Sequence, residues 1–452
     1  SEFGFKAVLE TYQSSCPALR IEGSTGEKIR FFATFKPAIS RKWKPLLSNT
    51  FKISSTRVKS IVPSGEDEVY NLQTDTENYI ANGLIVHNCF LKMYKYKFGE
   101  MSLETAKATL EFAKKNVMEN GHIWFFGGEP TVRWDIIKFF VDEIKKQNLK
   151  LTLGMTTNGY LLDEEKLKYI KENHPNFGIL LSIDGVKETH DKFRVTVDGK
   201  PTWEKVFSNL KLAEKILGRK IEIRWTFGPG TIVGLADAVK KYVEEYNIYA
   251  VALGAVFEVD WSEKDYRDFR AEMEKLREYA IGWYRKGIPF NAMPIRDGLA
   301  PIIGAGGTIF SRCGLGQGEV GVTPNGWLSL CHRFCNSLAE SDEMKIGDVW
   351  NGIDYKKREE IYKRWLSFPI VSEEPERCKT CIYKPWCFGS CIALNYDMFR
   401  NMHVVPKTIC EYYRIVTEVF LPMGHLMLAE NNQAFRQAFG VGGFRTAVER
   451  KE

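Results

Sequence analysis

The sequence predicts an α/β fold: a parallel sheet with crossover helices, curled into an open or partial (β/α) barrel. A β-rich segment precedes it and a cysteine-rich segment follows it. Three observations carry this. Short apolar runs of strand length recur between about Cys89 and Gly287, namely Ile123–Phe126, Leu151–Thr156, Gly178–Ile183, Ile221–Phe227 and Ala250–Phe257. Amphipathic stretches lie between them. In Asp135–Gln147, for example, Ile136, Ile137, Phe140, Val141 and Ile144 share one face at helical spacing. A closed barrel needs eight such units, and about five or six are legible, so the barrel is expected to be partial.

Composition bounds the function. The 452 residues suffice for two or three domains. With 44% hydrophobic and 27% charged residues, a mostly disordered chain is excluded. The net charge of +6, from 63 basic and 57 acidic residues, is too small and too dispersed to call for nucleic acid. The longest apolar run, Ile415–Leu428, is shorter than a membrane span and carries Thr417, Glu418 and His425. No signal peptide is legible, so a cytoplasmic protein without a membrane or nucleic-acid partner is expected. Of ten cysteines, eight fall within Cys313–Cys410, a cluster that points to metal rather than to disulfides. Cys16 reads as a small core residue.

The first element is residues 1–88, rich in Ser, Thr, Lys and short alternating runs, which read as a small β-rich unit. Its end runs Val69-Tyr70-Asn71-Leu72-Gln73-Thr74-Asp75-Thr76-Glu77-Asn78-Tyr79-Ile80-Ala81-Asn82-Gly83-Leu84-Ile85-Val86-His87-Asn88-Cys89. This stretch resembles the C-terminal splicing blocks of inteins, and residues 1–88 are accordingly expected to be part of a Hint-type intein fold. The resemblance implies that Asn88 cyclises through its side-chain amide and cuts its own peptide bond. His87 would assist by proton donation, and Cys89 would be the downstream nucleophile. The plainer alternative is a hairpin turn at Asn82-Gly83 followed by a chance His-Asn-Cys. Two departures stand out: Glu77 occupies a position where inteins often carry His, and the N-terminal splicing half is absent. The expectation is therefore cleavage at Asn88, or splicing in trans with an upstream intein and extein half.

In the middle element, residues 89–295, the first strand ends in Phe125-Phe126-Gly127-Gly128-Glu129-Pro130-Thr131. The next carries Thr156-Thr157-Asn158-Gly159 and the one after it Leu181-Ser182-Ile183-Asp184-Gly185, followed by His190-Asp191-Lys192-Phe193-Arg194. This ordered set resembles the radical S-adenosylmethionine (SAM) superfamily. Singly, each motif is as well explained by turns and solvated charges. The resemblance implies that Gly127, Gly128, Glu129 and Pro130 hold the methionine end of SAM, while Asn158, Ser182 and Arg194 address its ribose and carboxylate. It also implies a [4Fe–4S] cluster on a Cys-x3-Cys-x2-Cys motif. Cys89, followed by Phe90, would be its third ligand, and the intein would interrupt the motif just before it. One thiolate cannot hold a cluster, so catalysis is expected only once Cys89 is joined to its upstream partners.

The last element, residues 300–425 with a tail at 426–452, spaces its cysteines as Cys313-x12-Gly326-x4-Cys331, Cys378-x2-Cys381-x5-Cys387-x3-Cys391 and x18-Cys410. This resembles the SPASM domain of peptide-modifying radical SAM enzymes. Two auxiliary [4Fe–4S] clusters are implied, one on Cys378, Cys381, Cys387 and Cys410, the other on Cys313, Cys331 and Cys391, with Cys335 available as a fourth ligand. The alternative is four-thiolate zinc in an interaction module without redox chemistry. SPASM enzymes that mature sulfatases usually carry Asp after the Gly-x4-Cys cysteine, as a candidate base; His332 stands there, followed by Arg333. A base role for His332 and a hydrogen bond from it toward the cluster are both open, the second ranked higher, which counts against sulfatase maturation. The implied activity is reductive cleavage of SAM and hydrogen abstraction from a peptide or protein side chain, with ferredoxin or flavodoxin as electron donor.

Overall fold

A computed structural model describes residues 6–10, 18–22, 78–81, 84–87, 99–116, 121–196, 198–302, 318–338, 341–366, 371–381 and 391–440. The chain divides into two compact units, Ser1–Met93 and Tyr94–Glu452.

In the first unit, β1 (Lys6–Glu10) pairs antiparallel with β2 (Ala18–Glu22), and β3 (Asn78–Ala81) with β4 (Leu84–His87). Ala81 pairs with Leu84, so two residues connect β3 to β4, the spacing that Asn82-Gly83 favours. Asn88, Cys89 and Cys16 lie outside the described residues.

The second unit is built on six parallel strands: β5 (His122–Phe125), β6 (Thr152–Thr157), β7 (Gly178–Ser182), β8 (Glu222–Phe227), β9 (Ala250–Ala255) and β10 (Asn291–Ala292). They lie side by side in chain order. Crossovers between parallel neighbours are right-handed, so consecutive order puts every connecting helix on the same face. That face is apolar. Leu153, Met155, Ile179, Leu181, Ile223, Trp225, Phe227, Val251 and Leu253 are buried in one core with Ile137, Phe140, Leu167, Val206, Leu210 and Val239 from the helices. The helix α2 (Trp134–Lys146), which follows α1 (Leu103–Asn116), buries the expected stripe Ile136, Ile137, Phe140, Val141 and Ile144. The opposite, concave face takes the alternate strand residues, which are half-buried or exposed in β5, β8 and, apart from the buried Ser182, β7. The expected strands are all present, shifted by one or two residues at their ends.

The cysteine-rich segment carries an antiparallel sheet of β11 (Gly321–Val322), β12 (Trp327–Ser329), β13 (Lys345–Asp348) and β14 (Gly352–Ile353). Gly326, in the turn between β11 and β12, has φ 79°, and a Cβ there would meet Trp350 at 2.5 Å. This gives the Gly-x4-Cys spacing a backbone reason.

The C-terminal boundary differs from the expectation. A single helix, Lys407–Ala429, runs through residue 425. Its Ile415, Val416, Val419, Phe420, Met423 and Met427 join the barrel core, as does Phe435 of the following helix Gln433–Phe439. The helix lies so close to Met293–Leu299 that a Cβ on Gly298 would sit 2.2 Å from the Val416 carbonyl oxygen. Residues 426–439 are thus packed structure rather than a tail. Among the described residues no helix is long and apolar enough to cross a membrane.

Candidate functional site at the C-terminal edge of the parallel sheet

Parallel pairing brings the ends of β5, β6, β7 and β8 to one edge, where ligands of such folds bind. Phe125 pairs with Met155, Thr157 with Leu181, and Ser182 with Arg224. The sequence motifs therefore stand side by side. Gly127 has φ 136°, a conformation L side chains rarely adopt, and a Cβ there would meet no atom within 4 Å, so the loop leaves open space at its backbone.

Glu129 braces this loop. Its Oε1 accepts from the Thr131 backbone N–H (3.0 Å), the Thr131 hydroxyl (2.6 Å) and the Thr157 hydroxyl (2.7 Å), and its Oε2 accepts from the Asn158 N–H (2.7 Å). A carboxylate offers about four acceptor sites, and these four donors use them. Asn158 Oδ1 in turn accepts from the Tyr160 N–H at 2.9 Å. Pro130 opens the short helical turn Pro130–Arg133 that follows.

Ser182 is buried at the end of β7. Two residues on, Asp184 accepts from the Thr226 N–H at 2.7 Å, tying β7 to β8, and forms an ion pair with Arg194. His190 is fully buried beneath this pair. Its Nδ1 accepts from the Asp184 N–H (3.1 Å), so Nε2 carries the proton and donates it to Thr202 Oγ1 (3.0 Å). Thr202 donates onward to the Arg194 carbonyl (2.7 Å). Burial, aided by the Arg194 charge, pushes the His190 pKa down to about 4 and keeps the ring neutral.

The cysteine-rich segment reaches this edge. The His332 ring meets Phe126, beside Gly127, edge-on at 5.5 Å between centroids. One oxygen of Glu319 accepts from the His332 N–H (3.2 Å) and contacts ring Nδ1 (2.7 Å). The His332 hydrogen bond holds the Glu319 pKa below its ordinary value against the opposing effect of burial, so Glu319 is the acceptor and Nδ1 the donor. Arg333 donates to Glu258 at 2.6 Å.

Six of the expected metal-binding cysteines are described: Cys331, Cys335, Cys378, Cys381, Cys391 and Cys410, none of them in a disulfide. Burial raises the Cys331 thiol pKa, and the Phe334 N–H opposes this. Cys391 packs against the same apolar cluster that buries Cys331. Cys378 accepts the Ser372 N–H at 3.1 Å. The adjacent Arg377 forms an ion pair with Glu411, the residue after Cys410, at 2.5 Å. Cys335 faces Ser329 Oγ at 3.3 Å and would touch a Cβ on Gly321. Cys313 and Cys387 lie outside the described residues, and among the described residues no three His, Cys, Asp or Glu side chains converge on a metal position.

The family model of the Radical SAM superfamily matches residues 87–234. A cysteine-type anaerobic sulfatase-maturating enzyme of Clostridium novyi is 34% identical over 329 residues, covering 67% of this chain and 82% of that protein. The chain belongs to the radical SAM superfamily, in the family of the anaerobic sulfatase-maturating enzymes. A second such enzyme, from Clostridium perfringens, is 27% identical over 339 residues, covering 69% of this chain and 86% of that protein. The radical SAM cyclopropyl synthase TigE of Paramaledivibacter caminithermalis is 20% identical over 305 residues, covering 65% of this chain and 59% of that protein. The solved structure of native anSMEcpe with bound AdoMet shares the fold, with TM-score 0.60 at 22% identity over 76% of this chain and 94% of that one.

Membership in the superfamily brings a [4Fe–4S] cluster and SAM. The open glycine loop, braced from behind by Glu129, fits SAM, whereas Cys89, the ligand expected for that cluster, lies outside the described residues.

Sequence reasoning missed the floor of the concave face. Trp124 lies flat across its neighbours: a Cβ on Gly154 would be 2.2 Å from its ring and one on Gly178 2.7 Å, while its Nε1 donates to Thr156 at 2.9 Å. Asp184 and Arg224 were missed as well. The available signal was glycine inside strand-like runs, which marks close approach by another group.

Proposed function

We propose that this chain is a radical SAM/SPASM oxidoreductase that abstracts hydrogen from a peptide or protein side chain, in a precursor whose first 88 residues end an intein. The observation that carries the reading is the adjacency, on one sheet edge, of the Gly127 loop, Asn158, Ser182 and the His332–Glu319 pair. When bound, the cluster and SAM supply a 5′-deoxyadenosyl radical that removes the hydrogen. The chain's own residues do the positioning. Gly127 and Gly128 offer backbone to the amino-acid end of SAM, with Glu129 and Pro130 fixing their course. Asn158, Ser182 and Arg194 serve the ribose and carboxylate side.

Cys89 is the ligand this chain contributes to the SAM-binding cluster. Auxiliary clusters fall to Cys378, Cys381, Cys387 and Cys410, and to Cys313, Cys331 and Cys391, with Cys335 available to the latter. His332, its Nδ1 donating to Glu319, keeps Nε2 as a proton acceptor near the loop. A peptide substrate is supported by the solved relative that binds AdoMet with the Cp18Cys peptide. Ferredoxin or flavodoxin would deliver electrons in the cytoplasm.

Iron, acid-labile sulfide and zinc are measured on the chain purified and reconstituted without oxygen. About eight irons with matching sulfide are expected from two auxiliary clusters. Zinc without sulfide would mean structural four-thiolate sites and would overturn the radical assignment. For the splicing element, Asn88→Ala should abolish C-terminal cleavage; cleavage that persists removes the intein reading.

A further inference from the structure

The concave face holds one cation whose charge the described residues leave unmatched. Arg224, on β8, directs its side chain into the chamber and leans over β9, where Gly254 makes room: a Cβ there would lie 2.1 Å from Arg224 Nη2. Among the described residues its one hydrogen bond is long, 3.4 Å from Nη1 to the Ala252 carbonyl, and no carboxylate is within ion-pair distance. The one carboxylate whose charge acts on it, Asp184, already holds Arg194 and the Thr226 N–H. The carboxylates paired with its other charged or polar neighbours are engaged as well, Glu258 with Arg333 and Asp297 with Tyr412. Burial lowers the Arg224 pKa, Arg333 and Arg194 lower it further, and Asp184 and Tyr412 only partly offset them. A guanidinium half out of water, facing two more cations, is a standing electrostatic cost unless an anion joins it.

We propose that Arg224 is a specificity-determining residue that receives a carboxylate of the peptide substrate. This rests on the radical SAM reading above and names the substrate class for it. Ser182, assigned above to the cofactor, pairs in register with Arg224, but the guanidinium turns away from it, from β8 over β9. The side of Arg224 that faces β9 is therefore the side left for a substrate. A planar guanidinium laid flat in a glycine cradle also presents two parallel N–H groups, the geometry a carboxylate accepts.

The test is fluorescence anisotropy with the full chain, reconstituted without oxygen. The probes are fluorescein-labelled decapeptides of Ala and Gly with a central Cys and an amidated C-terminus. They carry Asp, Asn or Lys at each of several positions flanking the Cys, and one neutral peptide has a free C-terminal carboxylate. At one position the Asp peptide should bind on the order of tenfold more tightly than its Asn twin. If only the free C-terminus confers the gain, the carboxylate is the peptide's own terminus. In Arg224→Gln the gain should vanish while binding of Asn peptides is kept; Arg224→Lys should keep part of it. Gly254→Ala, which displaces the guanidinium without removing its charge, should reduce it and serves if Arg224→Gln does not fold. No Asp preference in the native chain, or a preference that survives Arg224→Gln, overturns the proposal. So does a loss of SAM binding in Arg224→Gln with the Asp preference intact. Iron and sulfide content, read on the same preparation, tests the parent reading independently.

Discussion

Glu129→Gln separates two jobs for a residue of the glycine loop after β5. The structure makes Glu129 a brace, with Oε1 taking three donors and Oε2 the Asn158 N–H. Gln keeps one acceptor oxygen and turns the other into a donor. If the NH2 group replaces Oε2, it faces the Asn158 N–H. If it replaces Oε1, the two Thr hydroxyls can rotate to accept, but the Thr131 N–H is stranded. Either way one backbone donor loses a charge-assisted bond, a loss of about 1.5–3 kcal/mol. That converts to local opening about 10–100-fold more frequent. Hydrogen exchange of the segments holding Thr131 and Asn158, with and without SAM, reads this directly. The expected result is faster exchange in that range in the free protein, with SAM affinity falling no further than loop opening accounts for. Unchanged exchange with SAM affinity abolished would falsify the bracing role and make the carboxylate a direct ligand contact.

Further outcomes follow from the same geometry. His190 is held neutral with a pKa near 4 against an ordinary 6.5, so the unfolded chain binds the extra proton between those values. Stability from this site is complete above pH 6.5 and lost as pH falls toward 4, about 2 kcal/mol of it between pH 7 and 5. Reversible denaturation of the native chain and of His190→Gln should therefore converge over that interval, and parallel profiles would refute the assignment. Gly154→Ala drives a Cβ into the exposed Trp124 ring, which must swing aside and give up the Nε1–Thr156 bond; a shift in tryptophan emission and a loss of about 1 kcal/mol are expected. Gly298→Ala sets a Cβ against the Val416 carbonyl, which is backbone and cannot swing aside. It should cost at least as much, measured as a lowered denaturant midpoint, whereas an unchanged midpoint would mean that the two helices are not in close contact.

What the sequence made legible, and what it hid, follows from the reach of each signal. The buried stripe of Trp134–Lys146 was readable because its five apolar residues repeat within one helix. The edge loops were readable because glycine, Asn and Asp at strand ends are local features. Trp124 and Arg224 were hidden because they occupy the exposed side of β5 and the half-buried side of β8, and the glycine cradle of each lies on a neighbouring strand. Only register brings ring and glycine together, and register is a non-local property. The helix Lys407–Ala429 illustrates the same limit. Its apolar run was visible, but nothing in its own residues shows that Gly298 opens a path for it onto the barrel. Cysteine spacing likewise cannot say where Cys335 points, since that depends on Gly321 leaving space for its sulfur.

Cys331, His332 and Arg333 are consecutive, yet each goes to a different place. Cys331 is buried with the small antiparallel sheet, His332 meets Phe126, and Arg333 pairs with Glu258. A thiol on a long flexible loop would be placed only loosely against the barrel. Here two contacts on adjacent residues fix the backbone that carries it, one from the loop after β5 and one from the segment after β9. The loops therefore grip the Cys331 turn from opposite ends of the sheet edge. A displacement of either shifts the thiol relative to Gly127 by backbone movement, because a buried side chain has no rotamer freedom with which to compensate. The same grip fixes the Glu319–His332 pair against Phe126. Packing thus bears on the distance from Cys331 to the glycine loop, and Phe126 and Glu258 are the contacts through which it acts.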